Sequence, residues 1–169
     1  MSPDSPVLQG LAPIAGRGAR LLVLGSFPGV ASLAAQQYYG HPRNHFWPIL
    51  SAIWGIDLVA MGYAARVAEL KRRGLALWDV YAACQREGSL DSAIENAKAN
   101  DLAGLVARLP TLRAIAHNGS ESARAMRLTQ TLGVAVRRLP STSPANASWS
   151  FERKLAAWRA AFSEAGMSS

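Results

Sequence analysis

Cysteine is nearly absent. The single residue, Cys84, excludes an internal disulfide and any four-cysteine zinc or iron–sulfur site. Histidine is scarce as well. His41 and His45 are four apart, but Pro42 lies between them and no glutamate completes an H-E-x-x-H helix, so no metal site is expected. No apolar run approaches the ~20 residues of a membrane-spanning helix. The N-terminal stretch MSPDSPVLQG lacks the basic-then-apolar pattern of a signal peptide, which makes a cytoplasmic location the expectation. Neither G-x-G-x-x-G nor G-x-x-x-x-G-K-[ST] occurs, so dinucleotide and P-loop chemistry lack their phosphate cradle. A serine hydrolase fares little better. No histidine follows residue 117 to serve Ser26 or Ser120 as a base, and neither serine lies in G-x-S-x-G.

What is present is a chain of 169 residues, half of them hydrophobic, which fits one globular domain over 1–169 with residues 1–20 as a loosely structured lead-in. The formal charge of +7 favours polyanionic partners, nucleic acid first.

Four short apolar runs alternate with helical patterns. Leu21–Leu24, Leu75–Val80, Leu112–Ala116 and Val134–Leu139 read as buried strands. Helices are expected over Phe46–Trp54, over Gly62–Arg73 with Gly74 as its stop, over Leu102–Leu109 behind an Asp101 cap, from Ser120 to about Leu132, and over the stretch bearing Phe151, Leu155, Trp158 and Phe162. Tyr81–Asn100 reads as a long polar excursion containing Cys84, Arg86, Asp91 and Asn96. Alternating strands and helices predict a three-layer α/β/α sandwich around a four-stranded parallel sheet. Right-handed crossovers gather the loops after all four strands at one edge. Those loops carry Gly25-Ser26-Phe27-Pro28-Gly29, Asp79, His117-Asn118-Gly119 and Pro140–Asn146. They are short of general bases and rich in flat rings and amides: Phe27 and Tyr39 for stacking, Asn44, Asn118 and Asn146 as paired donors and acceptors, Asp79 as a carboxylate. Such a crevice suits a nucleobase read on its edges.

The strings GSFPG, YYGHPRNHFW, GLALWDVYAACQREGSLDSAI, IAHNG and LPSTSPAN, in this order, resemble the uracil-DNA glycosylase superfamily, most closely its hypoxanthine-DNA glycosylase branch. The resemblance covers about Leu21 to Phe162. It implies a monofunctional glycosylase that flips a deaminated base from double-stranded DNA, acts as a monomer, hydrolyses the N-glycosidic bond and needs no cofactor. Most branches carry a water-activating Asp or Asn two residues after the glycine of the first turn. Phe27 stands there in this chain, so the resemblance transfers that role to Asn44 and favours hypoxanthine over uracil. Mismatch-specific uracil or thymine excision is the alternative substrate reading.

On the same resemblance, Gly25, Ser26, Phe27, Tyr39 and Asn118 surround the base; Asp79 joins them by its position at the end of the second strand, where its carboxylate can accept the N1–H of hypoxanthine. Ser141, Thr142, Ser143, Pro144 and Asn146 enter the minor groove, either Pro144 or Asn146 filling the vacated place, and His41 and Arg43 contact backbone or partner strand. Several positions keep a second reading from the residues alone: Phe27 and Tyr39 can be ordinary core, and Asn118 can serve only to shape the turn before Gly119. Asn44 precedes a helix and can be its cap. Asp79 can be a buried carboxylate held by backbone N–H groups instead of a base reader.

Overall fold

The structure, a computed structural model, describes residues 5–167. In chain order it runs β1 (Leu8–Gln9), β2 (Leu21–Gly25), α1 (Val30–Ala35), α2 (Phe46–Trp54) and α3 (Tyr63–Arg72). Then come β3 (Leu75–Asp79), β4 (Tyr81–Gln85), a 3-10 turn at Asp91–Ala93, β5 (Glu95–Ala99) and α4 (Leu102–Ala107). The remainder is β6 (Ala114–Asn118), α5 (Ser120–Ala123), α6 (Met126–Thr129), β7 (Ala135–Leu139) and α7 (Phe151–Glu164).

The expected four-stranded parallel sheet is present, ordered β3-β2-β6-β7. Its residues alternate between two apolar layers, as the two-residue period of a strand requires. Leu21, Val23, Leu75 and Leu77 pack under Phe46, Ile49, Leu50, Ile53, Trp158 and Phe162 of α2 and α7. Leu22, Leu24, Ala76 and Ile115 face Leu102, Leu105 and Leu109 on the other side. A strand covered on both faces needs an unbroken apolar run, which is why LLVL and LALW carry no polar residue. The connection from β2 leads to β3 on one side, and that from β6 leads to β7 on the other. Such a reversal opens a crevice at the carboxyl ends of β2 and β6.

Several elements differ from the expectation. The polar excursion supplies β4 and β5 of a second, antiparallel sheet, β1-β4-β5, whose third strand comes from the lead-in. The described part of the lead-in is short of regular structure but tied down. Leu8 and Gln9 pair with Cys84 and Ala83, Ile14 bridges Leu77, and the Leu11 and Ala12 carbonyls accept from Trp78 Nε1 and the Tyr38 hydroxyl. A short helix, α1, follows the first glycine turn where a loop was expected. The helix expected from Ser120 breaks into α5 and α6. Ser122 is drawn inward at that point, donating to the Leu24 carbonyl at 2.7 Å and meeting His117 Nδ1 at 2.9 Å. With Thr129 at 2.8 Å from its Nε2, His117 is a fully enclosed structural residue, and burial pushes its pKa down to about 4.

Candidate active site

One cavity of about 630 Å³ opens at the carboxyl edge of the parallel sheet. The turn after β2 contributes Gly25, Ser26 and Phe27, and the ends of β3 and β6 contribute Asp79 and Asn118. Tyr39, His41 and Asn44 come from the loop before α2, and Ser141, Thr142, Ser143, Pro144 and Asn146 from the loop after β7. Of the residues singled out in sequence only Arg43 lies outside this lining. It is exposed, and its backbone N–H donates to His41 Nδ1 at 3.0 Å.

Asp79 forms the floor. It is 4% exposed, and its Oδ2 has no hydrogen-bond partner. Burial pushes its pKa up to about 7, the charge of Asp91 adds to the rise, and the Arg86 guanidinium opposes it. Gly25 has to be glycine here, because a Cβ would sit 2.4 Å from Asp79 Oδ1 and 3.3 Å from the Tyr39 hydroxyl. The carbonyls of Gly25 and Ser26 accept from the N–H groups of Val80 and Tyr81, so the turn is welded to the segment that follows Asp79.

Tyr39 adopts φ +54, a left-handed conformation unusual for an aromatic residue. Two contacts hold it there: its ring stacks on Phe46 with centroids 4.1 Å apart, and its hydroxyl accepts from Asn118 Nδ2 at 3.2 Å. One face is thus spent on Phe46, and the hydroxyl reaches the cavity floor. Burial, reinforced by Asp79, raises the phenol pKa.

The N-cap of α2 is His45, with no side-chain cap bond; Asn44 stands one residue earlier, and its Oδ1 accepts from the first helical N–H, that of Phe46, at 2.9 Å. A carbonyl oxygen has two lone pairs, and this bond uses one. It also fixes which end of the amide is oxygen. The side chain lines the cavity all the same. This bond and a role in the cavity are therefore compatible.

Asn118 is bonded at both ends of its amide. Its Nδ2 donates to Tyr39 Oη and to Thr142 Oγ1 (3.0 Å), and its Oδ1 accepts from Thr142 N–H (3.0 Å). One lone pair of Oδ1 stays open toward the cavity, and the three bonds let the amide position the loop after β7. Three further bonds hold that loop: His45 N–H to Thr142 O, Trp158 Nε1 to Pro140 O, and Asn146 Nδ2 to Ser141 O. Beside it, the buried Lys154 ammonium reaches His45 Nδ1 at 3.2 Å. Burial, then the Lys154 charge, keeps the His45 pKa low.

The loop between β4 and β5 brings Arg86 and Asp91, residues of the polar excursion with no role assigned from sequence, to the site. Arg86 is buried, stacks over Phe27 at 5.3 Å and donates from Nη2 to Pro28 O at 2.7 Å. Ser89 Oγ accepts from the Val30 N–H at 2.8 Å. Ser26 Oγ donates to Asp91 Oδ1 at 2.6 Å. These contacts clamp the hairpin over the first turn and bring Asp91 into the cavity wall. A polar stretch with no period offers no signal of such contacts. The one available sign was a lone arginine and aspartate inside the third matched string. Among the described residues no group of three or more His, Cys, Asp or Glu could hold a metal ion.

Residues 13–164 match the family model of the uracil DNA glycosylase superfamily. The chain belongs to that superfamily. It is 36% identical over 154 residues to a Methanosarcina barkeri protein named hypoxanthine DNA glycosylase, covering 91% of this chain and 97% of that one. A Methanosarcina acetivorans protein of the same name is 36% identical over 156 residues, covering 92% and 98%. The solution NMR structure of a proposed uracil DNA glycosylase from Methanosarcina acetivorans superposes with a TM-score of 0.86 at 35% identity, covering 95% of this chain and 99% of that one. As a superfamily member, the chain carries its cavity where an open α/β sheet places a ligand, at the reversal of strand order.

Proposed function

We propose that this superfamily member is a DNA glycosylase of base-excision repair that removes hypoxanthine from double-stranded DNA. The observation that carries the reading is the cavity floor. Asp79 presents a carboxylate with an oxygen that no group of the protein satisfies, beside a glycine whose missing side chain leaves room for a flat ring. Hypoxanthine brings a donor there, its N1–H. Adenine has an acceptor in the same place, so a normal purine leaves the carboxylate unpaired and is rejected. The two relatives named hypoxanthine DNA glycosylase support the same substrate.

In this reading Phe27 and the Tyr39 edge bound the flipped base, and backbone N–H groups of the Gly25–Phe27 turn meet its acceptors. Asn44, with Oδ1 half-used by the Phe46 N–H, accepts one hydrogen of a water through the remaining lone pair. Cleavage passes through an oxocarbenium-like sugar, which captures even a weakly activated water. Enclosure and stabilisation of charge on the departing base supply most of the acceleration. Ser141, Thr142 and Ser143 offer hydroxyls to phosphate while Pro144 and Asn146 lie at the rim, where the vacated stack would be filled. His41 and Arg43, on the neighbouring loop, take backbone or partner strand. The enzyme works as a monomer in the cytoplasm without a cofactor.

A panel of duplexes carrying one hypoxanthine, uracil, xanthine or mismatched thymine tests the proposal. Alkali-labile abasic sites should form fastest at hypoxanthine. Faster release of uracil or thymine would move the chain to the mismatch-specific reading, and salt-sensitive binding with no abasic product would remove catalysis altogether.

A further inference from the structure

Among the described residues lining the cavity, the titratable groups besides Asp91 are enclosed, already engaged or without an accepting site for the proton of an attacking water. Asp79 lies enclosed at the floor, and the hydroxyls of Tyr38 and Tyr39 are held on Ala12 O and Asn118. His41 Nδ1 is occupied by the Arg43 N–H, and Arg138 has no proton-accepting site. Asn44 can orient a water but cannot take its proton.

Asp91 differs. It arrives from the hairpin that Arg86 and Ser89 clamp onto the first turn, and the Ser26 hydroxyl pins its Oδ1 at 2.6 Å. Its residue is open to the cavity, and its second oxygen is left to solvent or substrate. The floor carries an independent sign of the same chemistry in the unpartnered, buried Oδ2 of Asp79. Two carboxylates in one cavity divide their roles when their surroundings differ. Asp79 is desolvated and holds a proton more readily, whereas Asp91 has a hydroxyl donor and wider exposure.

We infer that Asp91 is a further catalytic carboxylate of this site, the acceptor of the proton released by the attacking water. The inference rests on the glycosylase reading above. In the step, the water oxygen bonds to C1′ of the sugar, and the C1′–N9 bond breaks with its electron pair on the purine. The water's proton passes to Asp91 and then through solvent to the departed base, so the sum is one water consumed. Ionised Asp91 also places negative charge in the cavity wall beside the developing sugar cation.

Asp91 has to be ionised to act, so the rate should climb with pH through its titration. The groups that face it are Ser26, Arg86, Glu121 and Asp79. Its pKa is raised by burial first, lowered by the Ser26 bond, raised by Glu121 and lowered by Arg86; Asp79 enters as the carboxylate whose own pKa the Asp91 charge raises.

The test is single-turnover release of hypoxanthine from a duplex by saturating full-length protein between pH 5 and pH 9. Asp91→Asn keeps an oxygen for the Ser26 hydroxyl and the packing of the loop. It should be slower by about 100-fold, the scale of a lost general base, with duplex affinity retained and the acidic limb of the profile reduced to the part that Asp79 contributes. Asp91→Glu should retain the full limb at an intermediate rate. Asp91→Asn within threefold of the native rate and with the native acidic limb would overturn the inference, as would Asp91→Glu showing the same profile as the asparagine variant. A native protein that releases no base sinks the glycosylase reading instead.

Discussion

Asp79 couples the chemistry of the cavity to the stability of the fold. Its carboxyl ionises from the ordinary 3.8 in the unfolded chain and at about 7 in the folded one. The folded state therefore binds the proton more tightly, and the associated stability is complete below 3.8 and lost as pH rises through 7. Asp79→Asn does not titrate. Its unfolding free energy relative to the native protein should rise between pH 4 and pH 8 by on the order of 2 kcal/mol, measured by urea unfolding at each pH. The same variant should lose its preference for hypoxanthine over adenine. Gly25→Ala drives a methyl group into Asp79 Oδ1, so it should abolish excision and destabilise the fold by about 1–3 kcal/mol in thermal unfolding.

Asp79, Asn44 and Gly25 were legible in the sequence because each stands at the end of a strand or the start of a helix, where the motifs lie. The engagement of Asn118 and of one Tyr39 face was not. Whether an amide is free or tethered depends on what another loop, Thr142 here, brings to it from 24 residues away.

At the scale of elements, apolar periodicity placed β2, β3, α2 and α7 closely, since burial decides those segments; β7 and α3 are largely at the surface, and the glycines and proline beside them, Gly133, Pro140 and Gly74, mark their bounds. The hairpin was lost for the opposite reason. β5 reads Glu-Asn-Ala-Lys-Ala and is exposed along its whole length, with Asn96 at φ +52 and register shifts in its pairing with β4. No β-branched residue or alternation marks it, so backbone hydrogen bonds and the clamp onto the first turn hold it in place. Strand β6 begins two residues later than expected because Arg113 N–H and the Thr111 hydroxyl are taken by Arg20 O and Ala19 O of the lead-in.

The loop after β7 depends on one side chain. Asn118→Ala removes two buried hydrogen bonds to Thr142 and a half-buried one to Tyr39 and should cost about 2–3 kcal/mol, the penalty of groups left unpaired. Hydrogen exchange should show the Thr142 amide losing protection while the β2 amides keep theirs. Equal loss in both would mean that the loop and the sheet open as one unit.

For the whole molecule, the +7 charge sets how DNA is approached and the cavity sets what is done to it. Binding of an undamaged duplex should weaken by at least about tenfold between 50 and 200 mM salt. Once the base is enclosed, the single-turnover rate at saturating protein should change little, because the reacting atoms are screened from bulk ions. No helix of the described residues is long and apolar enough to cross a membrane.

The central claim is that an amide-held water in this cavity cuts the bond between sugar and hypoxanthine. It is tested most directly by single-turnover excision from a duplex with one hypoxanthine, comparing native protein with Asn44→Ala. Native protein should release free hypoxanthine and leave an abasic strand. The variant should be slower by about 100-fold at unchanged duplex affinity, with a stability loss of about 1 kcal/mol from the missing bond to the Phe46 N–H. An intact strand after incubation with native protein, or a variant that cuts at the native rate, would contradict it.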